Sequence, residues 1–169
     1  MCLSFEKCVF CVIQNVFFSL NPTYACLFSD GQMTSFIGFS DGAHLYTLNL
    51  ASTAWVLYSP TSELVSSGGV LLGPSTNNLA KYQAMVGLLT EALDFDVREI
   101  RVYLDSELVV QQLNRVYTIR SPYLLCTFQR VRLLERYFEQ VMYHHILIQL
   151  NAVEDSLAYY VLDWHIAHT

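Results

Sequence analysis

The 169-residue sequence carries little charge and has no apolar run long enough to cross a membrane. Charged residues make up 14% of the chain, against a usual share of about 25%, while apolar residues make up 53%. Such a chain buries a large core, which excludes intrinsic disorder. The longest apolar stretch, residues 8–20, is interrupted by Gln14 and Asn15 and falls short of the roughly 20 residues that a spanning helix needs. We therefore expect one domain without a membrane span.

Signals for secretion and for a disulfide framework are also missing. Residues 8–20 would suit the apolar part of a secretory signal ending at Ala25, but Glu6 cancels the positive charge of Lys7 that such a leader requires. The five cysteines are an odd number with one isolated C-x-x-C, so neither a disulfide framework nor a four-ligand zinc site is indicated. These absences favour a reducing, intracellular compartment, either the cytoplasm or the nucleus.

The overall charge argues against a protein that holds nucleic acid by bulk electrostatics, since the net charge is −6 and the pI is near 5.2. The segment 115–136 is basic instead, because it contains five arginines and a single acid, Glu135. Two interpretations of this segment stay open, a solvated helix face and a surface that contacts phosphates. The five arginines are Arg115, Arg120, Arg130, Arg132 and Arg136.

Hydrophobic periodicity predicts an α/β order of elements after residue 35. Residues 1–35 show no clean period and are interpreted as an N-terminal extension, and residues 36–165 form the predicted domain. Three β-prone runs joined by short loops, 36–40, 54–58 and 64–72, predict a meander. The later elements are a helix from about Leu79, a strand at 100–104, helices at 107–113 and 122–140, a strand at 141–150 and a helix at 153–162. The predicted order is βββαβααβα.

Three aspartates stand where the ends of strands and helices would gather them. Asp41 closes the first predicted strand, Asp105 closes the fourth, and Asp155 lies in the first turn of the last helix. If the first and fourth strands are neighbours, the carboxylates meet and repel one another unless a cation such as Mg²⁺ or Mn²⁺ joins them. In the alternative interpretation, Asp41 begins a turn, Asp105 caps a helix and Asp155 offsets a helix dipole. Spacing alone leaves both open.

Four blocks of the sequence resemble the ribonuclease H domain, in the form found in plant long-terminal-repeat retrotransposons and their relatives. The blocks are FSDGA (39–43), LLGPSTNNLAKYQAMVGLLTEAL (71–93), VYLDSELVVQQLN (102–114) and HHILIQLNAVEDSLA (144–158). The resemblance covers roughly residues 36–165 and implies a five-stranded mixed sheet with helices on both faces. It also implies a fragment of a former polyprotein, in which a reverse transcriptase would precede this domain.

For chemistry, the resemblance implies a two-metal nuclease that cleaves the RNA strand of an RNA–DNA hybrid. Members use four carboxylates in the pattern Asp, Glu, Asp, Asp, and Asp41, Asp105 and Asp155 fall on the three aspartates. Two Mg²⁺ or Mn²⁺ ions, about 3.5 to 4 Å apart, would activate a water and stabilise the leaving oxygen. The implied metal ligands of this chain are therefore these three aspartates.

The glutamate of the family pattern is absent. Members read N-N-x-A-E-Y at the start of the first helix, whereas residues 77–82 read N-N-L-A-K-Y, which puts Lys81 at the glutamate position. A unit charge changed at about 4 Å and an effective dielectric near 20 is worth on the order of 4 kcal/mol. We therefore expect a disabled nuclease in which Lys81 forms salt bridges with Asp41 and Asp105. The alternative is a Lys81 that extends into solvent beside a feebly active three-aspartate site.

The last block departs from the family pattern as well. His145 and Asn151 keep the family spacing, but Leu147 and Ile148 replace a proline and an arginine, which removes a candidate phosphate contact. The resemblance gives His145 the role of a proton shuttle to the leaving group. Its alternative is a strand-end histidine that faces water.

Several polar residues keep positions that contact substrate in the family. Asn77 and Asn78 would hydrogen-bond the 2′-hydroxyls of the RNA strand, and as helix caps they can serve both roles. Ser106, with Gln111 or Gln112, lies beside Asp105 where the family binds the hybrid backbone. The expected partner is an RNA–DNA hybrid or another nucleic acid.

Two other functions stay open at this stage. The first is an active nuclease in which Glu63 or Glu107 replaces the missing ligand. The second is a non-catalytic domain that binds nucleic acid or protein and is derived from a retrotransposon, with residues 1–35 as the docking element.

Overall fold

The computed structural model describes residues 34–148, 158–159, 161–163 and 165–167. Its strands and helices are β1 (Phe36–Leu45), β2 (Leu50–Tyr58), β3 (Leu64–Gly73), α1 (Asn77–Asp94), β4 (Glu99–Leu104), α2 (Glu107–Leu113), α3 (Pro122–Glu135) and β5 (Gln140–His145). The three short described stretches after residue 157 are also helical. The predicted α/β fold with a five-stranded mixed sheet is confirmed. The predicted N-terminal extension lies outside the described residues, apart from residues 34 and 35.

The order of strands in the sheet is β3-β2-β1-β4-β5. β1 pairs antiparallel with β2 and parallel with β4, so the first and fourth strands are neighbours. In the β1–β4 register Phe39 lies opposite Tyr103. Asp41 and Asp105 each follow this pair by two residues, and a period of two returns a side chain to the same face. The parallel pairing therefore brings the two carboxylates together.

Apolar side chains form a core on both faces of the sheet. On one face α1 packs Tyr82, Met85 and Leu89, which are fully buried and follow one another at helical spacing. On the other face the helical residues Ala158 and Leu162 pack against β1 and β2. No helix within the described stretches has the length and apolar character of a membrane span.

The ends of several predicted elements are wrong. The strand predicted over 54–58 begins at Leu50, and the strand predicted over 141–150 ends at His145. The first strand continues to Leu45 instead of stopping at Ser40, because its antiparallel pairing with β2 runs through Gly42 and Ala43, so Asp41 lies inside the strand opposite Ala54. The helix predicted over 122–140 ends at Glu135, since a turn leads from there into β5.

The caps of α1 and α2 also differ from the predictions. The cap of α1 is Thr76, whose side chain accepts a 3.2 Å hydrogen bond from the Leu79 amide, so Asn77 and Asn78 lie inside the helix. The cap of α2 is Ser106, whose hydroxyl accepts from the Val109 amide at 3.4 Å, instead of Asp105. In each case the hydroxyl one residue outside the first helical residue meets the free amide. Asp105 is therefore not needed as a cap.

The indole of Trp55 fills a slot between two glycines. Gly68 lies opposite Trp55 on β3, and a Cβ there would stand 2.5 Å from the indole ring. A Cβ on Gly87 of α1 would also overlap the ring. The indole nitrogen donates a hydrogen bond to the carboxylate of Glu91. The two glycines thus let α1 pack against the sheet with a large aromatic ring between them.

Candidate functional site

Lys81, near the N-terminal end of α1, joins the carboxylates of Asp41 and Asp105. Its Nζ lies 2.5 Å from Oδ1 of Asp41 and 2.8 Å from Oδ1 of Asp105. The exposed fractions of the three side chains are 11% for Lys81, 3% for Asp41 and 7% for Asp105. The predicted salt bridges are therefore confirmed, and the alternative of a lysine extended into solvent is wrong.

The backbone at Gly42 allows α1 to come this close to β1. A Cβ on Gly42 would stand 2.5 Å from the amide nitrogen of Lys81 and 2.6 Å from the carbonyl carbon of Ala80. Any side chain here would push the helix away, so glycine is required by the close approach. The amide of Gly42 also donates a 2.7 Å hydrogen bond to Oδ1 of Asp41. One carboxylate oxygen of Asp41 thus accepts from both an amide and an ammonium.

Burial and charge act in opposite directions on the pKa values of this pair. Burial raises the pKa of Asp41 to about 6, although the positive charge of Lys81 opposes the change. Burial alone would lower the pKa of Lys81, but the charge of Asp41 and the hydrogen bonds to both carboxylates raise it. Near neutral pH the pair is therefore a carboxylate with an ammonium.

The residues described around Asp41 do not fit the metal pair of the ribonuclease H pattern. Within the described ranges, no three or more His, Cys, Asp and Glu side chains are grouped to hold a metal ion. An ammonium has only protons to donate, so Lys81 cannot be a ligand, and its charge repels a divalent ion. The third implied ligand, Asp155, lies outside the described residues, as does Asn151.

His145, at the end of β5, lies beside the backbone of Asp105. Its ring nitrogen Nε2 is 3.2 Å from the backbone carbonyl oxygen of Asp105, and the residue is exposed. Strand pairing explains the position, because His145 lies opposite Leu104, the residue before Asp105. His145 is thus a strand-end histidine that faces water, as the alternative expects, and its role as a proton shuttle stays a prediction.

The residues implied in substrate contact fall into two groups. Asn77, Asn78 and Ser106 are partly exposed near Lys81 and Asp105 along the chain. Gln112 is 7% exposed and accepts a 2.8 Å hydrogen bond from the hydroxyl of Tyr82, so its predicted contact with a hybrid backbone is wrong. Gln111 remains partly exposed.

The proposed replacement ligands do not join the site. Glu107 is exposed in the first turn of α2, and Glu63 is exposed in the turn before β3, where its carbonyl accepts from the Ser59 amide. The ion pairs of Asp41 and Asp105 within the described part of the chain are with Lys81.

Arg132 differs from the other arginines of its segment. Its guanidinium binds both carboxylate oxygens of Glu135 at 2.8 and 2.7 Å, donates to the Leu113 carbonyl and stacks 4.6 Å from the centre of the Phe128 ring. Tyr143 adds a 2.6 Å hydrogen bond to Glu135. This network was not predicted, although the i, i+3 spacing of Arg132 and Glu135 is a sequence signal for their ion pair.

The remaining arginines of the segment are exposed and form no ion pair with another residue in the described ranges. They are Arg115, Arg120, Arg130 and Arg136.

A family model and a curated relative match most of this chain. Residues 39–161 match the family model described as "Reverse transcriptase-like". A ribonuclease HI of Halobacterium salinarum is 34% identical over 125 residues, which cover 74% of this chain and 63% of the relative. The chain thus spans less than two thirds of that curated relative.

Solved structures show the same fold. The crystal structure of ribonuclease H1 from Halobacterium salinarum matches with a TM-score of 0.73 and 32% identity, over 76% of this chain and 98% of that one. LC11-RNase H1 in complex with an RNA/DNA hybrid matches with a TM-score of 0.74 and 24% identity, over 78% of this chain and 99% of that one. This chain therefore belongs to the reverse transcriptase-like family and contains a ribonuclease H-like domain.

Proposed function

We propose that this chain binds RNA–DNA hybrids as a ribonuclease H-like domain but cleaves them poorly or not at all. The observation that carries the proposal is the ammonium of Lys81, which lies between Asp41 and Asp105 at hydrogen-bonding distance. Ribonuclease H chemistry uses divalent ions to activate a water and to stabilise the leaving oxygen. Lys81 removes one ligand from that site and repels the ions, so the catalytic step loses its principal source of charge stabilisation.

The polar surface around the cluster supports binding without cleavage. Asn77, Asn78 and Ser106 are partly exposed, and amide and hydroxyl groups of this kind hydrogen-bond ribose hydroxyls and phosphates. Four exposed arginines of the 115–136 segment are available for phosphates in a chain whose net charge is −6. The structure of LC11-RNase H1 was solved with an RNA/DNA hybrid, and we extend that ligand class to this chain.

The type of domain, its limits and the roles of three further residues are part of the same proposal. We place the chain among domains of the plant long-terminal-repeat retrotransposon type, with the domain over residues 36–165, because the four sequence blocks have that type's order and spacing. The family match over residues 39–161 supports these limits. Asp155 is the proposed third carboxylate and Asn151 a proposed substrate contact. His145 is the proposed proton shuttle of the ancestral reaction, since it stands beside Asp105.

The test is to measure binding and cleavage in the same samples. The purified chain is mixed with an RNA–DNA hybrid whose RNA strand is labelled, and with a DNA duplex of the same sequence, in Mg²⁺ and in Mn²⁺. We expect the hybrid to be bound more tightly than the duplex and its RNA to stay intact. Asp41→Asn serves as the control for contaminating nuclease. Equal affinity for both duplexes, or rapid RNA cleavage that Asp41→Asn abolishes, would contradict the proposal.

A further inference from the structure

We infer that Lys81 is a built-in counter-ion through which this chain binds an RNA–DNA hybrid without any divalent metal. The inference rests on the proposed function, because it concerns the same site and the same ligand. It adds a property that binding alone does not require, namely that the affinity is insensitive to chelation of divalent ions.

The first step is the electrostatic problem that a carboxylate cluster poses to a polyanion. Asp41 and Asp105 place two negative charges next to each other, and a nucleic-acid phosphate brought close to them is repelled. Where such carboxylates hold divalent ions, the bound ions remove the repulsion. In this chain the ammonium of Lys81 lies 2.5 and 2.8 Å from the two carboxylates and itself offsets one of the two negative charges.

The second step is that this compensating charge cannot leave. Lys81 is covalently part of α1, and the residue is 9% exposed. The close passage of α1 over Gly42 fixes the backbone of Lys81 against β1. A chelator that strips metal ions therefore leaves the charge of this site unchanged.

The third step is that the same ammonium makes added metal redundant. One Oδ1 oxygen of each aspartate already accepts a hydrogen bond from Nζ, and a divalent ion between them would have to displace the lysine. At constant ionic strength, Mg²⁺ should then contribute little more than ordinary screening.

The experiment measures the affinity for a short RNA–DNA hybrid in EDTA and in Mg²⁺, at matched ionic strength, for the full chain and two variants. Lys81→Met keeps the apolar stem and removes the charge. Arg98→Met removes the same unit charge from an exposed ion pair with Asp96, in which the arginine side chain is 61% exposed. The full chain and Arg98→Met should each change less than about twofold between EDTA and Mg²⁺.

Lys81→Met should bind about tenfold more weakly than the full chain in EDTA, and Mg²⁺ should restore most of the loss. Restoration by Mg²⁺ separates lost charge from a damaged fold, since an ion does not repair misfolding. The double variant Asp41→Asn with Lys81→Met gives a second check if the single variant does not fold. It restores the net charge of the cluster to that of the full chain, with Asp105 as the one remaining carboxylate, and should again bind in EDTA.

Two outcomes overturn the inference alone. One is a full chain that binds the hybrid in Mg²⁺ but not in EDTA, which leaves the proposed function standing. The other is a folded Lys81→Met variant that binds in EDTA as tightly as the full chain. Failure of the full chain to bind in either condition would overturn the proposed function together with the inference.

Discussion

Lys81 in α1 donates a 2.5 Å hydrogen bond to Asp41 in the interior of β1, across 40 positions of sequence. Both side chains are buried, so the pair is a buried ion pair of the kind that is costly to break on one side only. The contact ties the first helix to the strand at the centre of the sheet. It also means that a side chain of the protein offsets one of the two negative charges of Asp41 and Asp105.

Removal of the ammonium should destabilise the fold. Lys81→Met leaves Asp41 and Asp105 buried without a counter-charge, and we expect the free energy of unfolding to fall by about 3 to 5 kcal/mol. Urea denaturation followed by circular dichroism measures this change. Arg98→Met, which breaks an exposed pair, should cost less than about 1 kcal/mol. Equal losses in the two variants would show that burial adds nothing to the Lys81 pair.

The raised pKa of Asp41 predicts a specific dependence of stability on pH. Burial raises this pKa from its ordinary value of 3.8 to about 6, so the folded state binds the proton more tightly than the unfolded state. The stabilisation that results from this tighter proton binding is complete below the pKa of Asp41 in the unfolded state. It is lost as the pH rises through the pKa of Asp41 in the folded state.

We therefore expect the difference in unfolding free energy between the unmodified chain and Asp41→Asn to fall by about 3 kcal/mol from about pH 4 to pH 7. Denaturant titrations of both proteins across this range measure it. A difference that stays constant with pH would show that Asp41 keeps its ordinary pKa in the fold.

Alanine at Gly87 should destabilise the chain, against the usual preference of helices for alanine. The added Cβ would overlap the indole ring of Trp55, and overpacking of this kind costs about 1 to 3 kcal/mol. Thermal unfolding tests this, with Thr90→Ala on the exposed surface of the same helix as the control. The control should change stability by a few tenths of a kcal/mol, about the difference in helix propensity. A Gly87→Ala variant as stable as the control would disprove the close packing of the indole.

The hydroxyl of Tyr143 should contribute to stability through Glu135. Burial raises the pKa of Tyr143 well above its ordinary value, so the hydroxyl stays protonated and donates its 2.6 Å hydrogen bond to the carboxylate. Tyr143→Phe should lower the free energy of unfolding by about 2 kcal/mol, as expected for a bond to a charged acceptor. Tyr137→Phe, at a residue that is 68% exposed, should have almost no effect. Equal free energies of unfolding for the two variants in urea would contradict a stabilising hydrogen bond between Tyr143 and Glu135.

The order of elements and the ion pairs of Lys81 were predictable from the sequence. Periodicity marks the helices and strands, and the parallel neighbours β1 and β4 bring Asp41 and Asp105 together once the order of strands is known. Lysine at a position otherwise occupied by an acid then has two carboxylates within reach. The resemblance places Lys81 at this position, and charge complementarity then predicts the contact.

Other features depend on partners distant in sequence, which local signals do not reveal. The Asp41-Gly42 sequence predicts a turn, but pairing with β2 keeps both residues in a strand. The sequence predicts Arg132 as one more basic residue of a solvated face. In the structure its guanidinium donates hydrogen bonds to Glu135 and to the Leu113 carbonyl. The roles of Asp155 and Asn151 and the intracellular compartment stay predictions.

The most direct test of the central claim is metal-dependent cleavage of an RNA–DNA hybrid, measured for three proteins in Mg²⁺ and in Mn²⁺. They are the unmodified chain, Lys81→Glu, and Lys81→Glu combined with Asp41→Asn. If Lys81 disables the site, only the single variant cleaves the RNA strand, because it regains a ligand and loses the repelling charge. Cleavage by the unmodified chain, abolished by Asp41→Asn, would contradict the account and identify a working nuclease.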